Sequence, residues 1–88
     1  MAILEQQIKA RLVETLGLKL APEAIGDETP LFAEGLGLDS VDVLEIAAML
    51  ANHFGAEVTA ADSGRYQEIF ANVHALAEFV RERQAASA

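Results

Sequence analysis

Eighty-eight residues with a formal charge of −8, no cysteine and no tryptophan limit the chain to one small domain, residues 1–88, with a lean core. Without a thiol there can be no disulfide scaffold, thiolate zinc site, iron–sulfur cluster or cysteine nucleophile. The 52% apolar and 23% charged composition is that of a globular chain, and its acidity disfavours nucleic acid and anionic membrane surfaces.

Leu4, Ile8, Leu12 and Leu16 recur every four residues, with Ile3 and Val13 alongside, which predicts a first helix over Ala2–Leu16. Gly17 follows where a left-handed residue closes a helix. From Leu18 to Leu38 the pattern dissolves, punctuated by Pro22, Gly26, Pro30, Gly35 and Gly37. Such a long loop is unusual in a small domain, and Leu20, Ile25, Leu31, Phe32, Leu36 and Leu38 must pin it to the core. A long loop held this way is typically functional.

Helical spacing resumes at Asp39, which stands as N-cap with Asp42 three residues on, and runs through Phe54 to a stop at Gly55. This second helix is apolar on two faces. Ile46, Ala47, Leu50 and Phe54 form one; Val41, Leu44 and Ala48 form the other. A chain this short cannot bury a helix all round, so the second face is expected to be an exposed binding stripe. Thr59, with Asp62 three residues on, is placed as the cap of a short third helix reaching Phe70 and interrupted by Gly64. Ile69 and Phe70 are its core candidates, with Tyr66 a weaker one. Asn72 caps a last helix carrying Val73, Leu76, Ala77 and Val80, with Phe79 on a neighbouring face, and residues 84–88 are expected to fray. The fold class is therefore all-α, a four-helix bundle with a long first loop and a short third helix.

Charge is distributed unevenly. Between Lys19 and Arg65 stand nine acids and no Lys or Arg, so that stretch carries −9 and the remainder +1. Two readings fit: a solvated face, or a negative potential that steers a basic partner protein. The N-terminal residues have neither the basic nor the apolar region of a signal peptide, and the longest apolar run, residues 46–51, is too short to span a bilayer. A soluble, cytoplasmic monomer is expected.

The most informative stretch is Gly35-Leu36-Gly37-Leu38-Asp39-Ser40-Val41-Asp42. It lacks the glycine and lysine spacing of phosphate-cradling loops, and Ser40 is not flanked by the glycines of a hydrolase elbow. A nucleophilic serine needs an adjacent base. His53 lies more than three helical turns beyond Ser40, nothing relates His74 to it, and both are read as ordinary histidines. No catalytic residue and no metal site is assigned. The Asp39, Asp42, Glu45 row would at most hold a divalent cation weakly, and dipole complement or partner contact suits it better. With Asp39 as the cap, the Ser40 hydroxyl is left without a structural duty. A phosphate ester there would meet the helix N-terminus, while Asp39 and Asp42 would oppose a free anion, so covalent attachment suits the position better than reversible binding.

At Leu36-Gly37-Leu38-Asp39-Ser40-Val41-Asp42-Val43-Leu44-Glu45 the chain resembles the acyl carrier proteins, whose Asp-Ser-Leu/Ile/Val-Asp step follows a Gly-rich turn and opens a long second helix. The resemblance extends over nearly the whole chain in length, acidity and helix order. It implies that Ser40 receives 4′-phosphopantetheine from coenzyme A through a separate phosphopantetheinyl transferase. The thiol of that arm then holds acyl groups as thioesters, for fatty-acid or polyketide-type biosynthesis. It further implies that Asp39, Val41, Asp42, Leu44, Glu45 and Ala48 face acyl-loading, ketosynthase and related enzymes. Ile46, Ala47, Leu50 and Phe54 match positions facing an interior where a growing chain is sequestered.

Two departures stand out. No carboxylate lies between Glu45 and Glu57, where Ala51, Asn52 and His53 replace the family's further acids, so partner contacts are expected to be more apolar. The Val58–Val73 stretch is longer than in typical fatty-acid carriers. Both features resemble carriers of a specialised pathway. The alternatives are a peptidyl or aminoacyl carrier, in which the approach to the serine is uncharged or glycine-rich, and an acidic helical adapter without a prosthetic group.

Overall fold

A computed structural model describes residues 3–32 and 36–87. Ala2, expected to open the first helix, and Glu34, Gly35 and Ala88 lie outside the described residues. Among those described there are four α-helices and no strand: α1 (Ile3–Leu16), α2 (Ser40–Phe54), α3 (Tyr66–Ile69) and α4 (Val73–Ser87). One parallel bridge joins Phe32 to Leu38. The expected small all-α bundle is the fold observed.

The ends of the helices follow from local chemistry. At Gly17 the backbone turns left-handed (φ 63°), and Leu18 N–H reaches back to the Val13 carbonyl at 3.1 Å. Gly55 does the same after α2 (φ 64°), and Ala56 N–H donates to Leu50 O. Asn72 Oδ1 accepts from Ala75 N–H at 2.8 Å, capping α4 as expected. Helix α4 continues to Ser87, and the Gln84 side chain donates to the Phe54 carbonyl at 3.3 Å.

Between α1 and α2, Pro22–Ala24 form a 3-10 turn that apolar periodicity could not reveal. Ile25 and Leu31 are buried in the core, and Leu20, Phe32, Leu36 and Leu38 pack against it, so the loop is anchored by the side chains expected to do so. Its backbone is fastened to the far side of the bundle: Leu31 N–H donates to Ala71 O and His74 N–H to Asp27 O. Each such bond satisfies a group that burial would otherwise orphan.

The third helix is shorter and less regular than expected. Ala60–Arg65 form a 3-10 segment, and only Tyr66–Ile69 is α-helical. Thr59 begins it as expected, in a capping box with Asp62: Thr59 N–H donates to the Asp62 carboxylate at 2.8 Å, and Thr59 Oγ1–H donates to the same group at 3.2 Å.

One hydrophobic cluster gathers Ile8 and Leu12 of α1, Ile46, Met49 and Leu50 of α2, Ile69 and Phe70, and the α4 row from Val73 to Val80. Ile3, grouped with the α1 stripe by sequence, is exposed instead. Its neighbour Glu5 is buried and forms a two-pronged ion pair with Arg81 of α4, at 2.9 and 3.0 Å.

Candidate functional site

The loop delivers the chain to α2 through Gly37, whose φ of 67° is a conformation that L side chains resist. Leu38 N–H then donates to Leu31 O, and Asp39 is extended (φ −116°, ψ −176°). Asp39 Oδ1 accepts from Val41 N–H at 3.0 Å and Asp42 N–H at 3.1 Å. Asp42 Oδ2 in return accepts from Asp39 N–H at 3.0 Å. This reciprocal cap occupies both carboxylates with backbone amides. Ser40, the first residue of α2, is exposed, and the cap makes no use of its hydroxyl.

Beyond Ser40 the second helix shows two faces. Val41 is 62% and Leu44 70% exposed, and Glu45 and Ala48 are exposed beside them. Asp39 is exposed and Asp42 half-buried at the head of this stripe. Not all of the nine middle acids belong to this field. Asp27 pairs with Lys9 at 2.6 Å, and Asp62 is buried against Arg83. Their basic partners lie in α1 and α4, outside the stretch in which sequence looked for them. Glu23, Glu28, Asp39, Asp42, Glu45 and Glu57 form no ion pair among the described residues.

The opposite face turns to the interior, as expected. Ile46 and Leu50 are fully buried core residues, while Ala47 and Phe54 are half-buried against the core. None of the four lines the space that opens at Ser40. That space is an apolar cleft of about 520 Å³ bounded by Pro30 and Phe32 of the loop, Ser40 and Val43 of α2, and Tyr66, Gln67, Phe70 and Ala71. Sequence missed the cleft because it is made by three segments that only folding brings together. Val43 alone carried a local signal, standing three residues from Ser40 and hence on its side of the helix. The cleft is aromatic on two sides: Tyr66 and Phe70 meet edge-on with ring centroids 6.2 Å apart, and Phe32 closes the loop side.

An exposed hydroxyl on a capped helix N-terminus, beside an apolar cleft, is a place to attach something rather than a place to activate a nucleophile. The family model of the phosphopantetheine attachment site matches residues 6–80. The chain belongs to this family. Phosphopantetheine-attachment domains bind 4′-phosphopantetheine covalently, are generally non-catalytic carriers, and work with a phosphopantetheinyl transferase and partner enzymes. Membership is consistent with the acyl carrier proteins.

The residues present fit that prosthetic group. Ser40 is exposed at the head of α2, where its hydroxyl would have room for a phosphodiester, and the cleft would offer apolar surface beside it. Among the described residues, no group of three His, Asp or Glu side chains is placed to hold a metal ion. None of the described helices is long and apolar enough to cross a membrane.

Proposed function

We propose that this protein is an acyl carrier protein, with Ser40 as the residue that takes 4′-phosphopantetheine from coenzyme A. The observation that carries the reading is the arrangement at the start of α2. Asp39 and Asp42 cap the helix through one another, leaving the Ser40 hydroxyl exposed at the mouth of an apolar cleft. When bound, the arm supplies a thiol that holds an acyl group as a thioester, chemistry this cysteine-free chain lacks. The chain's own part is to present and to shelter. Phe32, Val43, Tyr66 and Phe70 offer the acyl group a surface away from water. Val41, Leu44 and Ala48, headed by Asp39, Asp42 and Glu45, present an apolar stripe with a negative end to a partner whose docking surface is apolar and basic.

Acyl rather than peptidyl cargo is supported by Asp39, an acid immediately before the serine. A specialised pathway of fatty-acid or polyketide type is supported by the carboxylate-free second half of α2, from Ile46 to Phe54. The protein acts as a cytoplasmic monomer in this reading. Loading the arm with an acyl and an aminoacyl group in turn, and offering each to a ketosynthase and to a peptide-forming condensation enzyme, tests the assignment. Turnover by the ketosynthase supports it; turnover by the condensation enzyme alone assigns the chain to the peptidyl carriers.

A further inference from the structure

The wall of the Ser40 cleft is fastened from behind by charge. Tyr66 and Gln67 form its outer part, yet α3 has only four residues and cannot hold its own shape. Ile69 and Phe70 anchor its end in the core, whereas residues 63–68 are exposed. What fixes the start of the wall is polar. Asp62 is only 3% exposed, and its carboxylate gathers three donors: Thr59 N–H at 2.8 Å, Thr59 Oγ1–H at 3.2 Å and the Arg83 guanidinium of α4. Arg83 in turn lies over the buried Phe79 ring, 4.9 Å from its centroid, which sets the guanidinium against α4. Tyr66 Oη–H donates to Thr59 O at 3.3 Å, so the aromatic wall hangs directly from the turn that Asp62 organises. A second tie, Arg65 to Glu82 at 3.1 and 3.3 Å, is exposed and correspondingly weak.

We propose that Asp62 and Arg83 are positioning residues for the Ser40 cleft. Neither lines it, but their ion pair holds the Thr59–Gln67 segment against α4 and so sets where Tyr66 and Gln67 stand. The proposal rests on the reading of that cleft as shelter for the carried group. Losing the Arg83 charge leaves the Asp62 carboxylate buried without its cation, a strongly unfavourable state that the segment relieves by swinging outward. Ile69 and Phe70, held by apolar burial, act as the pivot.

Amide hydrogen exchange on the chain without its arm tests the latch alone. Arg83→Met, which keeps the stem over Phe79, and Asp62→Asn are compared with Arg81→Met, which removes a different ion pair from the same helix. The first two speed exchange at residues 60–68 by about tenfold and leave α1 within about twofold, while Arg81→Met leaves residues 60–68 unchanged. Arg83→Lys restores part of the protection. Equal loosening by Arg81→Met, or no change in Arg83→Met, overturns the latch. The link to the cleft is read from a solvatochromic naphthalene dye placed on Ser40 through a pantetheine arm. Its emission shifts to the red in Arg83→Met as the dye meets water. An unshifted emission despite faster exchange removes the positioning role. Failure of the arm to attach at all counts against the carrier reading and leaves the exchange result standing.

Discussion

Asp39 and Asp42 cap the second helix through each other: each carboxylate accepts the other's backbone N–H, at 3.1 and 3.0 Å. The acids that neighbour Ser40 in sequence are thereby occupied, and the hydroxyl between them is left outside the cap. Asp39→Ala should cost about 1 kcal/mol in denaturant unfolding, and Asp39→Asn clearly less, because the amide oxygen can still accept. If the cap also presents Ser40, Asp39→Ala slows attachment of the arm by more than Asp39→Asn does. A single-turnover assay with a phosphopantetheinyl transferase measures this, and equal rates would separate the cap from presentation.

The two faces of α2 should part company under mutation. Val41→Ala and Leu44→Ala, at positions mostly in water, are expected to change stability by less than about 0.5 kcal/mol. Their effect should fall on kcat/KM with a partner enzyme. Leu50→Ala, at a fully buried position, should cost about 2–5 kcal/mol. Thermal unfolding of the three variants beside a ketosynthase assay gives both readouts. A large stability loss at Leu44 would contradict its assignment to the partner face.

Most of this fold could be read from the sequence because it is written in local patterns. The Leu4–Leu16 spacing, Gly17 and Gly55, the Asp39 and Asn72 caps, and the apolar anchors of the long loop all act within a few residues of themselves. What could not be read depends on distant partners. Glu5 sits on an apolar helix face only because Arg81, seventy-six positions away, meets it there. The cleft needs Phe32, Val43 and Phe70 together, and no spacing announces that union. Ile46 and Leu50 were legible as inward-facing, but inward is the packed core, not the space beside Ser40. The Gln84 contact with the Phe54 carbonyl, thirty positions away, likewise lies outside any local pattern.

Acid should weaken the fold in a defined window. The Arg81 guanidinium holds the Glu5 carboxyl below its ordinary range, the Thr59 N–H chiefly does so for Asp62, and Arg65 for Glu82. A carboxylate whose folded value lies below its unfolded one contributes stability that is complete above the ordinary range and lost as pH falls through the folded value. Stability should therefore decline below about pH 5, where unfolded carboxylates begin to take up protons ahead of these three. Glu5→Gln should be less stable at neutral pH and show a shallower acid slope in urea titrations. An unchanged slope would remove Glu5 from the linkage.

Charge on α2 should act on encounter more than on holding. Glu45→Lys is expected to slow reaction with a basic partner by about tenfold at low ionic strength, with the difference closing as salt rises. Glu57→Lys, beyond the end of α2, serves as the control. Equal effects from the two would show that overall charge, not the head of α2, steers the partner.

Whether Ser40 carries the arm is decided by intact mass. Incubated with coenzyme A and a broad-specificity phosphopantetheinyl transferase, the protein should gain the mass of one phosphopantetheine, and Ser40→Ala should gain nothing. No gain with a transferase that modifies a control carrier, or a gain that persists in Ser40→Ala, would mean that Ser40 is not the attachment residue.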